Sequence, residues 1–201
     1  MNTPSATSTE LLASAIPGLR TAELGAGNEA TLQRFFDANP QYFIAVNGEA
    51  AGPNEGHEQL HYELPAEWSC TKKWLIGYLD EEGELQAIAN VFSDLLVSGV
   101  WHISLLIVAT VRHGNGDAHT FYRSLESWAV QNGARWMRLG VVQGNARAER
   151  FWERLGFVEV RRREGEVMGQ LTNTLRVMVK PLSGDSFDDY LATMPRDRPQ
   201  A

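Results

Sequence analysis

The chain has 201 residues, 43% apolar and 21% charged, with a formal net charge of -7 and one cysteine. That length suits one domain with a full core, and the composition is that of an ordinary soluble globular protein. A run of about 18 apolar residues that could span a bilayer is absent. Cys70 has no partner for an internal disulfide, and an acidic chain without a basic stripe among aromatics is a poor nucleic-acid binder.

Residues 1–18 are rich in Ser, Thr, Ala and Pro and are expected to be a flexible N-terminal segment. Met1 to Glu10 has no basic residue and no apolar block after it, so no secretory signal is expected. With the lone cysteine this favours a cytoplasmic location. Gly18 to Leu24 alternates as a first strand. Asn28 is placed to cap a helix to Ala38 with Leu32, Phe35 and Phe36 on one face. Pro40 opens a short helical segment, and Pro53 opens another to about Leu64. Lys73–Leu79 and Leu85–Phe92 read as strands across the turn Asp80-Glu81-Glu82-Gly83, and Val100 begins a long apolar strand. These three form an antiparallel meander. Phe157–Arg163 and Leu171–Lys180 read as a closing strand pair across a turn from Gly165 to Gly169. The domain is expected over 19–182, and 183–201 as a C-terminal tail with a short helix near Phe187–Leu191.

The charge is uneven. Residues 1–111 hold 4 basic against 14 acidic side chains, and residues 112–201 hold 14 against 11. Seven of those basic residues lie between Arg138 and Arg163. This division suits a polyanionic cosubstrate at one side and a cationic or amine substrate at the other.

The most informative stretch runs from Leu105 to Phe157. It reads strand, glycine turn, helix, strand, helix. Gly114 and Gly116 remove side chains where a backbone approaches a ligand closely. Successive N–H groups there and the positive end of the next helix make a cradle for phosphate. Phe121, Leu125, Trp128 and Ala129 line one face of that helix, and Gly133 sits at its left-handed cap. Asn145 caps the second helix, Ala148, Phe151, Trp152 and Leu155 share its inner face, and Gly156 ends it.

The order of these parts resembles the GNAT superfamily of GCN5-related N-acetyltransferases. The family's phosphate loop reads Arg/Gln-x-x-Gly-x-Gly/Ala, and this chain has His113-Gly114-Asn115-Gly116-Asp117-Ala118 with Arg112 before it. The family's later motif reads Asn-x-x-Ala-x-x-Phe-Tyr-x-x-x-Gly-Phe, and this chain has Asn145, Ala148, Phe151, Trp152, Gly156 and Phe157 in that register. The intervening LESWAVQNGARWMRLGV is similar too, and the likeness extends more loosely over residues 19–180. It implies a mixed α/β GNAT-type fold, with a mostly antiparallel sheet splayed between two parallel strands near Val108 and Arg135–Val142. It implies acetyl-CoA as cosubstrate and no metal. The pantetheine arm would pair with backbone near Ile107, Val108 and Ala109, and the Val108 N–H would serve as oxyanion donor. His113, Gly114, Asn115, Gly116, Asp117 and Ala118 would take the pyrophosphate. Asn145 would approach the pantetheine, and Phe151 and Trp152 its thiol end. Many members place a tyrosine where this chain has Trp152, so the proton donor to the leaving thiolate has no assigned residue.

The implied reaction is direct attack of a primary amine, from a small molecule or a peptide, on the thioester in a ternary complex. His102 is a candidate base, Asp94 a second, and Cys70 a remote candidate for a covalent acyl carrier. A catalytically inactive CoA-binding or regulatory module of the same fold is the alternative. A zinc metallohydrolase is a more remote one, because His57-Glu58-Gln59-Leu60-His61 spells H-E-x-x-H, with Glu81 as a possible third ligand. No membrane or nucleic-acid partner is expected, and the chain is a monomer or a homodimer.

Overall fold

The computed structural model describes residues 10–199. Seven strands form one sheet in chain order, except that the sixth and seventh exchange places at one edge. β1 (Arg20–Glu23), β2 (Lys72–Leu79), β3 (Leu85–Ser93) and β4 (Val100–Val108) make an antiparallel meander. β5 (Trp136–Val142) lies parallel to β4, and β6 (Val158–Met168) and β7 (Leu171–Pro181) complete the sheet antiparallel. α1 (Glu29–Ala38), α2 (Gln41–Asn47) and α3 (Glu55–Leu60) fall between β1 and β2. α4 (Asp117–Gln131) joins β4 to β5, α5 (Ala146–Arg154) joins β5 to β6, and α6 (Phe187–Thr193) follows β7. The expected mixed α/β fold is present. Among the described residues no helix is long and apolar enough to cross a membrane.

Period-two alternation divides the sheet between two apolar layers. Trp74, Ile76 and Tyr78 of β2 meet Phe121, Leu125 and Trp128 of α4 on one face. Leu75 and Leu79 meet Leu32, Phe35, Phe36 and Phe43 of α1 and α2 on the other. Trp74 stacks on Trp101 at 5.2 Å, and Trp128 stands edge-on to both.

Several boundaries differ from the sequence expectation for local physical reasons. The α1 N-terminus is where Asn28 predicts it, but the Asn28 Oδ1 accepts from Gly25 N–H behind it (3.0 Å). α3 ends at Leu60, short of Leu64, because Lys73 Nζ donates to the carbonyls of Gln59, Leu60 and Tyr62 at 3.0, 3.1 and 2.9 Å. β6 runs through Gly165 with a bulge between Arg163 and Glu166, which moves the turn to Gly169 and Gln170. A side chain at Gly169 would sit 2.6 Å from Asn47, so the hairpin tip rests directly on the end of α2. Gln170 N–H and Asn173 Nδ2 bond to the Asn47 and Val46 carbonyls there, both at 2.8 Å.

The two ends also depart from expectation. The first nine residues of the segment expected to be flexible lie outside the described residues. Leu12 and Ile16 of the same segment are buried against α4, where Trp128 Nε1 donates to Glu10 O (2.8 Å). At the other end Tyr190 and Met194 are buried with Val100, Trp136 and Val179. What the composition suggests is a tail is, through Asp197, part of the core.

Candidate active site

The site begins at a fork in the sheet. β4 and β5 pair only from Val100↔Trp136 to Ile103↔Leu139. Beyond that point β4 continues to Val108 and β5 to Val142 without pairing to one another. A bulge in β4 lies at the branch: Asn90 faces Leu105, but Val91 faces Ile103. The extra residue, Ser104, reverses the parity of the strand. Trp101 and Ile103 join the α4 layer before it, and Val108 after it, while Leu105 and Ile107 join the α1 layer.

Parity also decides which backbone groups face the fork. Ala109 N–H donates to Gln86 O across β3 at 2.8 Å. Alternation turns the Ile107 N–H the same way and aims the N–H and C=O of Val108 at the open edge. The Val108 carbonyl already accepts a bond there, from His113 Nε2 at 2.8 Å. The expected pairing of the arm with Ile107 and Ala109 is therefore corrected: their N–H groups point into the sheet, and Val108 is the one of the three with a donor at the fork. His113 likewise turns its imidazole back onto β4.

The glycine turn follows. Gly114 and Gly116 have φ of +88° and +86°, and a Cβ on either would meet nothing within 4 Å. The requirement is for left-handed backbone beside open space. Thr120 N–H makes the first bond of α4, onto Gly116 O (3.0 Å), so the N–H groups of Asp117, Ala118 and His119 at the helix end have no intrahelical acceptor. Arg112 borders this cradle, but its guanidinium is already engaged. It binds Asp117 (2.8 Å) and Gln86 (3.1 Å). Arg147, Arg150 and Arg154, on one face of α5, line a cavity of about 370 Å³ with His113, Gly114 and Gly116. None of the three is in an ion pair among the described residues. The basic block is plain in the sequence, but the i, i+3, i+7 spacing that gathers these three arginines acts only once α5 is formed.

Two further cavities lie on either side of the fork. The smaller, about 290 Å³, is lined by Asn39, Ile107, Val108, His113, Ala118 and Phe151. The larger, about 480 Å³, is lined by Tyr62, Trp68, His102, Ser104 and residues of β5 and β7. Tyr42, Leu106, Asn145, Ala148 and Trp152 line both, so the cavities meet at the fork. Asn145 caps α5, its Oδ1 accepting from Ala148 N–H at 3.3 Å. Trp152 is wedged between Phe151 and Phe157 at ring distances of 4.9 and 5.1 Å. Tyr42 is the only one of the five with an ionisable side chain. Burial first, then the Glu55 charge, pushes its phenol up to about 12. Its position on α2, distant in sequence from both motifs, hides it from motif reading.

His102 stands in the wall of the larger cavity. Its Nδ1 donates to Arg138 O at 3.1 Å. Burial, then the Arg138 charge, lowers its pKa to about 3, so it is neutral at ordinary pH and a weak proton acceptor. The general-base expectation for His102 is corrected on that ground. Asp94 is a turn residue: with φ of 51° it accepts from Gly99 N–H at 2.7 Å. Cys70 lines none of the three cavities, and burial, then the Asp94 charge, raise its thiol pKa, so nothing here supports it as an acyl carrier. The acidic front half does not frame the larger cavity either. Its charged lining is Arg138, Arg163, Arg196, Glu67 and Glu166, with Arg138 neutralised by Asp197 and Arg163 by Glu166.

The H-E-x-x-H segment falls on α3, a helix of six residues. His57 and His61 line none of these cavities. The carboxylate beside them is Glu29, not Glu81. Without a long supporting helix or a cleft, the zinc-hydrolase expectation is set aside.

A forked sheet with a phosphate cradle at one mouth and a second cavity behind it defines an acyl-CoA-dependent transferase fold. The family model described as the acetyltransferase (GNAT) family matches residues 32–157. The chain belongs to this family, whose fold supports acyl transfer from acetyl-CoA. No curated protein sequence matches. Solved structures show the fold. A GCN5-related N-acetyltransferase from Kribbella flavida has a TM-score of 0.59 at 21% identity, over 82% of this chain and 98% of that one. An acetyltransferase from Thermus thermophilus scores 0.60 at 20% identity, over 82% and 97%. Spermidine N-acetyltransferase from Vibrio cholerae, solved with CoA and spermine, scores 0.61 at 15% identity, over 82% and 95%.

Proposed function

We propose that the protein moves an acetyl group from acetyl-CoA to a primary amine by direct attack in a ternary complex. The amine belongs to a small molecule or a peptide. The observation that carries this is the meeting of two cavities at the fork, beside the outward N–H of Val108. Acetyl-CoA supplies the acetyl thioester and a thiol leaving group. The residues present suit such a molecule. The backbone of Gly114, Asn115, Gly116, Asp117 and Ala118 offers N–H donors to pyrophosphate, and Arg147, Arg150 and Arg154 add positive charge in no ion pair among the described residues, beside Arg112, which Asp117 holds, and His113, which the Val108 carbonyl holds. Asn145, Phe151 and Trp152 wall the arm and exclude water. The Val108 N–H donates to the thioester oxygen as it gains negative charge. The amine enters from the larger cavity, so nucleophile and thioester approach from opposite sides of the fork, and the nitrogen loses its proton to water as the carbon–nitrogen bond forms and the carbon–sulfur bond breaks. Tyr42, at the junction, offers its O–H as a hydrogen-bond donor toward the departing sulfur, at the place where Trp152 stands instead of the family's tyrosine. His102 holds Arg138 rather than the substrate proton.

The test joins binding to turnover. Acetyl-CoA at a hundred times its dissociation constant stabilises a binding protein by about 2.7 kcal/mol. The expected result is a rise in melting temperature together with release of free thiol when a panel of polyamines, amino acids and peptides is added. Stabilisation with no thiol released by any amine would mark a CoA-binding module without turnover. The absence of both effects would overturn the reading altogether.

A further inference from the structure

One cluster of metal-ligating side chains lies outside all the cavities of the site. Glu29 begins α1, and His57 and His61 belong to α3 and its C-terminal cap. Gly56 explains their meeting. A Cβ on Gly56 would lie 2.7 Å from Glu29 O and 3.0 Å from Gln33 N, so only glycine lets α3 sit on the first turns of α1. Gln33 locks the contact, accepting from Gly56 N–H and donating to Gly52 O, both at 2.9 Å.

The ligand geometry follows from that seating. His57 and His61, four apart, share a helix face, with ring centroids 4.3 Å apart. His57 Nδ1 is 3.1 Å from Glu29 Oε2. One ligand atom from each of the three lies within 4.8 Å of the others. A tetrahedral zinc with bonds of about 2.0–2.2 Å spaces its ligand atoms about 3.3–3.6 Å apart. The Glu29–His57 edge is already near that length. The remaining edges close by rotation of the exposed His61 side chain, which makes no hydrogen bond that holds it among the described residues. The i, i+4 spacing brings the second imidazole beside the first, and the seating of α3 on α1 brings both to the one carboxylate.

We propose that Glu29, His57 and His61 form a divalent transition-metal site of the zinc class, with two imidazole nitrogens, one carboxylate oxygen and a fourth position open to water. The site is a clip. It ties α3 to α1, and the chain leaving α3 carries Tyr62 and Trp68 into the wall of the larger cavity. Lys73 already gathers the carbonyls at this point, so metal bound at His61 extends an existing anchor. The proposal does not depend on the acetyltransferase reading, since binding is measured without turnover.

The test uses the full chain stripped with chelator and titrated with zinc chloride, with cobalt as a spectroscopic stand-in. The expected result is one ion per chain, and affinity reduced by about tenfold or more in Glu29→Gln and in His61→Gln. His61 is exposed and Glu29 half-buried, and circular dichroism verifies that the variants fold. Zinc should also slow hydrogen exchange over residues 55–68 in the parent and not in His61→Gln. Absence of saturable binding overturns the proposal. So does binding that is unchanged in either variant, because the third ligand is then not the one assigned.

Discussion

Arg138 and Asp197 form a two-pronged ion pair in the interior, Nε to Oδ2 at 2.7 Å and Nη2 to Oδ1 at 3.1 Å. Only 4% and 2% of the two side chains is exposed. Tyr190 donates a third bond to the same carboxylate at 2.5 Å. The pair fixes the C-terminal segment to β5, the strand that bounds the fork, and Arg138 also accepts from His102 through its carbonyl.

Removing one member leaves the other buried without a partner. Asp197→Asn should cost about 3–5 kcal/mol of unfolding free energy, read by urea titration. Burial alone would raise the Asp197 carboxyl, but the hydrogen bonds and charge of Arg138 outweigh it and hold the pKa below the usual carboxylate range. A carboxyl with a depressed folded pKa contributes stability that is full above its unfolded value of about 3.9 and is lost as pH falls through the folded value. The gap between parent and Asp197→Asn should therefore be constant near neutrality and narrow below about pH 4. A gap that does not change with acid would mean that the carboxylate charge contributes nothing.

His102 is expected to be dispensable for proton transfer. With its pKa lowered to about 3, it cannot account for an ionisation near neutrality. His102→Asn keeps an N–H for the Arg138 carbonyl and should change kcat/KM by less than about threefold, with the pH profile unmoved. Loss of a general base would instead cost about a hundredfold or more. A fall of that size, with one limb of the pH profile gone, would restore His102 as the base.

The local signals in the sequence were strong where a single element determined them. Gly114, Gly116, Asn145 and Gly156 each act through their own turn or cap, and the helices and strands that they bound stand close to where spacing puts them. What the sequence did not disclose depends on parity and distance. The one-residue bulge at Ser104 decides that Val108, and not Ile107 or Ala109, turns its N–H to the fork, and no residue type announces it. Tyr42 reaches the junction from α2, and Asp197 reaches Arg138 from a Pro-rich stretch that composition alone assigns to a tail. The pairing of Glu29 with His57 rests on one glycine, Gly56, whose need is visible only once α1 lies against it.

Arg147, Arg150 and Arg154 offer charge to phosphate, and Asp117, the carboxylate in the same lining, is already held by Arg112. Each charge-assisted bond contributes about 1.5–3 kcal/mol. Arg150→Gln should weaken acetyl-CoA binding by about tenfold or more, and the loss should shrink as salt rises, because exposed charges are screened. Calorimetry at low and high ionic strength measures both. An unchanged dissociation constant would move the phosphates away from α5.

Tyr42 carries the most specific mechanistic prediction. Its phenol, raised to about 12, keeps its proton through the working range. A thiol of pKa about 8.5 is the stronger acid, so complete transfer from Tyr42 to a free thiolate runs uphill by about 5 kcal/mol. The residue therefore acts by donating a hydrogen bond to sulfur while the carbon–sulfur bond stretches, and the thiolate takes its proton from water afterward. Tyr42→Phe removes one oxygen and little volume. It should leave the dissociation constant for acetyl-CoA within about twofold and lower kcat by about 10- to 100-fold, within the range of general acid–base effects. The loss should be smaller for an acetyl thioester of a more acidic thiol, whose leaving sulfur bears less charge and needs less help. The alkaline limb of the pH profile should be the same in parent and variant below about pH 10, since the phenol does not ionise there. An equal fall for both thioesters would assign Tyr42 to positioning instead, and an unchanged kcat would remove it from the reaction.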